Sequence, residues 1–254
     1  MNKFTAIVVE TQPNLKRIEE YANRYGMTPE EALQRKRIGE DYFPIRDQQV
    51  VSAGVLNFIN KEDKISIIAA VFVGEEKKVL DAFAERLEKI VKATGKPFFV
   101  TGDGRKYALE ILAGRAMYYM IEAKKENQEI KPELQNMIKI ITSPKSGYLK
   151  PFDVRDSIDI QAAFGLGHDV IPLPEKLQYT NEDLPGLAED IKSILLDMTK
   201  NYACYIEAQG EKIKPIVYKL DEKIFKTTEI FKFEDHDESD IEKTLDKEEL
   251  EIER

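Results

Sequence analysis

The sequence predicts an α/β fold built on a mixed sheet, and three features carry that expectation. Residues 4–9 (FTAIVV) form a β-branched apolar run with the length of a strand buried on both faces. Residues 48–59 and 64–73 are two more strand-like runs around the polar turn Asn60-Lys61-Glu62-Asp63, the pattern of a hairpin. Residues 97–121 then read as strand, glycine turn and helix. Pro97 to Thr101 is apolar and aromatic, and Gly102-Asp103-Gly104 breaks the chain. Leu109, Leu112, Ala113, Ala116, Met117, Met120 and Ile121 follow at helical spacing. Strand, antiparallel pair, helix, strand and helix in that order fit one α/β layer around a mixed sheet. A strand–turn–helix joint also holds sites at the carboxyl end of such a sheet.

The first strand ends in Glu10-Thr11-Gln12-Pro13, where the proline breaks it. Residues 15–39 are charged and helix-favouring, and Thr28-Pro29-Glu30-Glu31 supplies an N-cap, a proline at the first helical position and first-turn acids. Arg35, Lys36 and Arg37 follow, as a solvated face or as phosphate contacts. Residues 75–93 are an amphipathic helix with Val79, Leu80, Phe83, Leu87, Ile90 and Val91 on one side. Residues 124–132 read as a loop, and 134–141 are too short to assign. Residues 150–164 mix charged and apolar positions. Gly165-Leu166-Gly167-His168 is a turn that lacks the third glycine of a dinucleotide fingerprint. Leu187, Ile191, Ile194, Leu195, Met198, Tyr202 and Ile206 mark a core-facing helix, and 213–220 a last strand.

Charged residues make up 33% of the 254 and apolar ones 42%, the balance of a globular chain with a substantial core. No apolar run approaches the roughly 20 residues of a membrane span, and residues 1–13 lack the plan of a signal peptide. A cytoplasmic protein without a membrane partner is the expectation. One cysteine, Cys204, excludes an internal disulfide, and His168 and His236 leave no Cys/His zinc site. The net charge of −9 is uneven: residues 234–254 hold eleven acids and three bases, so 1–233 carry only −1. The overall acidity therefore does not exclude nucleic-acid binding by the body.

Four segments, in order, resemble the predicted 3′-5′ exonucleases related to the proofreading domain of family-B DNA polymerases. Where that family ends its opening strand in Asp-x-Glu-Thr, this chain has Val8-Val9-Glu10-Thr11. Where the family has Asn-Gly-Arg, a spacer, an aromatic and a catalytic Asp, this chain has Asp103-Gly104-Arg105-Lys106-Tyr107-Ala108. Asp156-Ser157-Ile158-Asp159 is similar to the family's Asp-Leu-Met-Asp. Ser193, Asp197 and Tyr202 stand at its Tyr-x-x-x-Asp and the later tyrosine. The hairpin segment, with Tyr42-Phe43-Pro44 leading into residues 50–56, also matches, and the resemblance covers residues 4–210.

The resemblance implies an RNase H-like fold with a mixed five-stranded sheet and flanking helices over residues 1–220, followed by an acidic extension, 221–254. It also implies a site of two metal ions about 3.5–4 Å apart, clamped by carboxylates from separate elements. Two of the four acids remain, Glu10 and Asp197, as catalytic and metal positions. Val8 and Ala108 replace the others, and Ser193 replaces the water-orienting tyrosine. The implied protein is a degenerate, inactive relative of an exonuclease, with no cofactor or one weakly bound Mg²⁺ or Mn²⁺. Its role is binding single-stranded DNA or RNA through Thr11, Arg105 and Tyr107, or scaffolding in DNA metabolism. Two alternatives stay open. An active metal-dependent exonuclease would recruit displaced ligands, Asp103 first and then Asp153, Asp156 or Asp159. A protein-interaction module would use the acidic tail, whose composition does not fold alone.

Overall fold

The computed structural model describes residues 2–36, 47–61, 64–95, 97–102, 107–142, 157–159, 178–208 and 228–233. The apolar opening run becomes β1 (Asn2–Pro13), inside the sheet. The hairpin expected beside it forms as β2 (Gln48–Lys61) and β3 (Lys64–Gly74). β2 is antiparallel to both of its neighbours. On the other side of β1 lies β4 (Phe99–Thr101), parallel, with Thr5 opposite Phe99 and Ala6 opposite Val100. β5 (Ser157–Asp159) extends the sheet in parallel beyond β4.

The expected five-stranded mixed sheet gains a sixth strand, β6 (Glu229–Phe233), parallel to β3, and the order is β5-β4-β1-β2-β3-β6. β6 comes from the stretch 221–254, so part of that stretch pairs with the sheet. Residues 213–220, read as a last strand, and 234–254 lie outside the described residues. The seat of β6 is specific. Gly74 has φ of 122°, and a Cβ there would stand 2.0 Å from the Phe233 carbonyl oxygen. Phe231 stacks on Phe72 with centroids 5.1 Å apart, and Arg86 pairs with Glu229 while lying over the Phe231 ring. Gly74→Ala is therefore expected to cost more than about 1 kcal/mol, since it adds both strain and a clash. The loss should show as faster amide exchange confined to residues 229–233; uniform protection across the sheet would contradict it.

The helices are α1 (Leu15–Tyr25), α2 (Pro29–Lys36), α3 (Glu76–Thr94), α4 (Tyr107–Lys125), α5 (Pro132–Ile141) and α6 (Leu184–Ala208). The charged stretch after β1 divides in two because Gly26 takes the left-handed conformation, φ 63°, that ends α1. Thr28 and Glu31 then form a reciprocal capping box for α2. The unassigned segment 134–141 is the body of α5, whose Leu134, Met137 and Ile141 are buried.

Alternation along β1 sorts the core. Ile7 and Val9 join the apolar cluster of α3, α4 and α5, while Phe4, Ala6 and Val8 join that of α6. α6 rests directly on β2 at Gly54, where a Cβ would meet Ile191 Cγ2 at 2.6 Å and Leu195 Cδ1 at 2.8 Å. Gly54 is the register partner of Val8, and Tyr202 packs edge-on against Phe4 at 4.8 Å. α6 thus runs opposite to β1, starting near its carboxyl end. Among the described residues no helix is long and apolar enough to cross a membrane.

Candidate functional site

The carboxyl end of β1 carries the polar residues that the sequence singled out. Its register against β2 shifts there: Glu10 faces Ser52 and Thr11 faces Val50, leaving Val51 as the extra residue of a bulge. Bulges bend a strand and re-aim side chains, and they recur beside sites. Glu10 is only 7% exposed. The Tyr179 hydroxyl donates to Glu10 Oε1 at 3.1 Å, and the Tyr179 backbone N–H donates to Gln12 Oε1 at 2.8 Å. Thr11 donates its hydroxyl to Gln48 Oε1 at 2.8 Å. Ser52, opposite Glu10, is fully buried and its Oγ has no hydrogen-bond partner among the described residues.

The turn that follows Tyr179 is held by hydrogen bonds. The Thr180 backbone N–H and hydroxyl both donate to the Asp183 carboxylate at 2.9 Å, and the Leu187 N–H donates to the Asp183 carbonyl, opening α6. Sequence reasoning missed this residue. Its signal was present: Tyr179 and Asp183 have the Tyr-x-x-x-Asp spacing, upstream of the segment that matches the third motif.

The bulge is held from the other face of the sheet. Val50 N–H donates to Glu76 Oε1 at 2.8 Å, and Glu76 is the first residue of α3. Arg115 of α4 grips the same carboxylate with two bonds, 2.7 Å to Oε1 and 2.6 Å to Oε2, and the Tyr119 hydroxyl adds a third at 2.9 Å. Glu76 and Arg115 are each 1% exposed. Burial alone would lower the Arg115 pKa, but the hydrogen bond and charge of Glu76 outweigh it and the net shift is upward. Burial, then the Glu76 charge, pushes the Tyr119 phenol well up, so it stays a donor. Tyr118 lies between two guanidinium groups, Arg115 at 4.5 Å and Arg17 of α1 at 4.8 Å from its centroid.

The other residues singled out in the sequence do not gather here. Val8, 3% exposed, sits in the apolar cluster under α6, and Ala108, 3% exposed, sits in the cluster on the opposite side of the sheet. Asp197 and Ser193 are exposed, on the side of α6 turned away from the strands. Tyr202 is core, between Phe4 and Phe98. Asp103, Arg105, Asp153, Asp156 and His168 lie outside the described residues. Tyr107 opens α4 and Asp159 ends β5, and only their backbones are described. Of the residues singled out, Glu10 and Thr11 are the described ones that lie together at the carboxyl end of β1.

Chemically, the described site offers one buried carboxylate, a phenol hydroxyl and amide and hydroxyl groups. Hard cations take several oxygen ligands at once. Among the described residues no group of three or more Asp, Glu, His or Cys side chains converges as a metal site would need. Asp81, a further buried acid, has its pKa raised by burial and is met by Lys131 at 3.0 Å. No protein-family model matches this chain, and no curated protein or solved structure matches it significantly.

Proposed function

We propose that this chain is an RNase H-like domain of 3′-5′ exonuclease descent that binds single-stranded nucleic acid without cutting it. Support comes first from the sheet. Its mixed pattern has β1 between an antiparallel β2 and a parallel β4, so the strand that carries the first motif and the strand that precedes the second in sequence are neighbours. One observation carries the loss of catalysis. The places of two metal-binding acids are held by Val8 and Ala108, each packed into apolar core with 3% exposure. A two-ion clamp needs carboxylates on both sides of the reacting phosphate, and neither position can supply one. The retained Glu10 accepts the Tyr179 hydroxyl, a bond that also braces the turn leading into α6.

The test separates binding from cleavage. A labelled single-stranded oligonucleotide should be retained by the full chain in EDTA as well as in Mg²⁺ or Mn²⁺, and should stay intact on long incubation. Affinity should fall with salt, since phosphate contacts release counterions. Metal-dependent release of nucleotides that disappears in Glu10→Gln would overturn the reading in favour of the active enzyme. Absence of binding under every condition would favour the interaction module.

A further inference from the structure

One flank of α1 is only partly covered by the core. Arg17, Tyr21 and Tyr25 follow one another at four-residue intervals, which puts them in a line along one side of the helix. The rings of Tyr21 and Tyr25 stand 4.6 Å apart, and Tyr25 is 59% exposed, the largest value among the exposed large apolar residues. Arg24 lies on the same side. Tyr118 of α4 continues the row, since the Arg17 guanidinium covers its ring at 4.8 Å. Neither Arg17 nor Arg24 forms an ion pair among the described residues; Glu122 of α4, whose pKa is lowered chiefly by its hydrogen bond from Lys125 at 2.7 Å, also feels the Arg17 charge.

Two physical arguments say that this stripe serves a ligand. Tyr21 packs against the small cluster of Ile18, Ala22 and Ala32, whereas Tyr25, stacked beside it, keeps 59% of its surface exposed. Cations also stand where the helix dipole disfavours them. The first turn of α1 contains no acid and carries Lys16 and Arg17, although a helix amino end favours negative charge. Guanidinium groups beside an exposed tyrosine ring are the chemistry that holds a sugar–phosphate chain and stacks a base. The place is right as well: α1 follows β1 directly, and Asn14 N–H bonds to the Asp47 carbonyl, so the row starts at the edge that bears Glu10.

We infer that the Tyr21–Tyr25 flank of α1, with Arg17 and Arg24, is a stacking platform on which single-stranded nucleic acid lies beside the carboxyl end of β1. The inference rests on the function proposed above and names the surface that performs it. Tyr25 supplies a sequence-tolerant π-face, and Arg17 and Arg24 supply the phosphate contacts. Because every base has a π-face, the platform shows little sequence preference.

The experiment is fluorescence anisotropy of the full chain, in EDTA, with a labelled oligothymidylate of about fifteen nucleotides, within the span one such surface occupies. Tyr25→Ala should weaken binding about fivefold or more, and Tyr25→Phe should keep it, because stacking needs the ring and not the hydroxyl. Arg24→Ala should weaken binding and flatten the log–log salt dependence by about 0.7. Lys89→Ala, a charge-matched exposed change on α3, should leave the affinity unchanged. Binding by the intact chain that Tyr25→Ala and Arg24→Ala do not alter would overturn the platform and leave the wider function standing. Loss in Tyr25→Phe equal to that in Tyr25→Ala would overturn the stacking role. Failure of the intact chain to bind at all would remove the nucleic-acid function itself, and the platform with it.

Discussion

Arg115→Ala is expected to remove about 3–5 kcal/mol of folding stability, because it leaves a buried carboxylate without its cation. Glu76 is 1% exposed, and three of its described bonds come from Arg115 and Tyr119, the fourth from the Val50 N–H. With the guanidinium gone, the remaining donors cannot offset the cost of holding that charge away from water. Arg115→Lys should recover only part of the loss, since an ammonium cannot reproduce the two-pronged grip. The double change Glu76→Gln with Arg115→Met should cost less than Arg115→Ala alone, because no orphan charge remains. Urea midpoints of the three variants decide the matter. If the double variant is the least stable of them, the pair contributes net stability beyond avoiding an orphan charge. The effect should also reach the site, because Glu76 fixes the bulge that faces Glu10 and Thr11. Chemical shifts of Thr11 and Tyr179 should therefore move in Arg115→Ala, although both residues belong to other segments of the fold.

The elements legible in the sequence are those whose pattern repeats long enough to be unambiguous. β1 and the hairpin carry strand-length apolar runs, and α3, α4 and α6 carry at least two turns of apolar spacing. The rest depended on contacts across the fold. β5 has three residues in a charged stretch, and β6 becomes a strand only because the β3 edge and Gly74 receive it. α5 has 10 residues, too few for its apolar spacing to stand out from chance.

The site shows the same division. Glu10 and Thr11 were legible because they end the clearest strand in the chain. Tyr179 was not, since nothing local says that a residue 169 positions away will meet Glu10. Asp197 is the instructive case. The apolar positions that identified α6, namely 191, 194, 195, 198 and 202, already leave 197 off the buried face. Motif matching and helical spacing disagreed at that residue, and its exposure follows the spacing. Arg115 lies off the apolar spacing that identified α4, so nothing in that spacing marked it as buried.

Val8→Asp puts back the acid that the opening motif of the resembling family carries, and the expected product is an unstable protein, not a nuclease. Val8 is 3% exposed in the apolar cluster with Ile191 and Leu195, and opposite it Gly54 leaves no room, because α6 lies in direct contact there. A carboxylate placed there meets no described cation and loses its hydration, a cost of several kcal/mol. It cannot turn outward, because β1 is paired on both sides and the alternation of the strand fixes its direction. Burial raises the folded-state pKa of such a group above its unfolded value. Its deficit is therefore largest at neutral pH and shrinks in acid, where the carboxyl is protonated in both states. Thermal unfolding of Val8→Asp at pH 7 and at acid pH should show that convergence with the parent chain. Ala108→Asp, in the cluster on the other side of the sheet, should behave alike. Added Mn²⁺ should rescue neither variant. A Mn²⁺-dependent rise in Tm for the double variant, accompanied by nucleotide release from single-stranded DNA, would mean instead that the two restored acids meet Glu10 across a latent metal cleft, and that catalysis was lost by substitution alone.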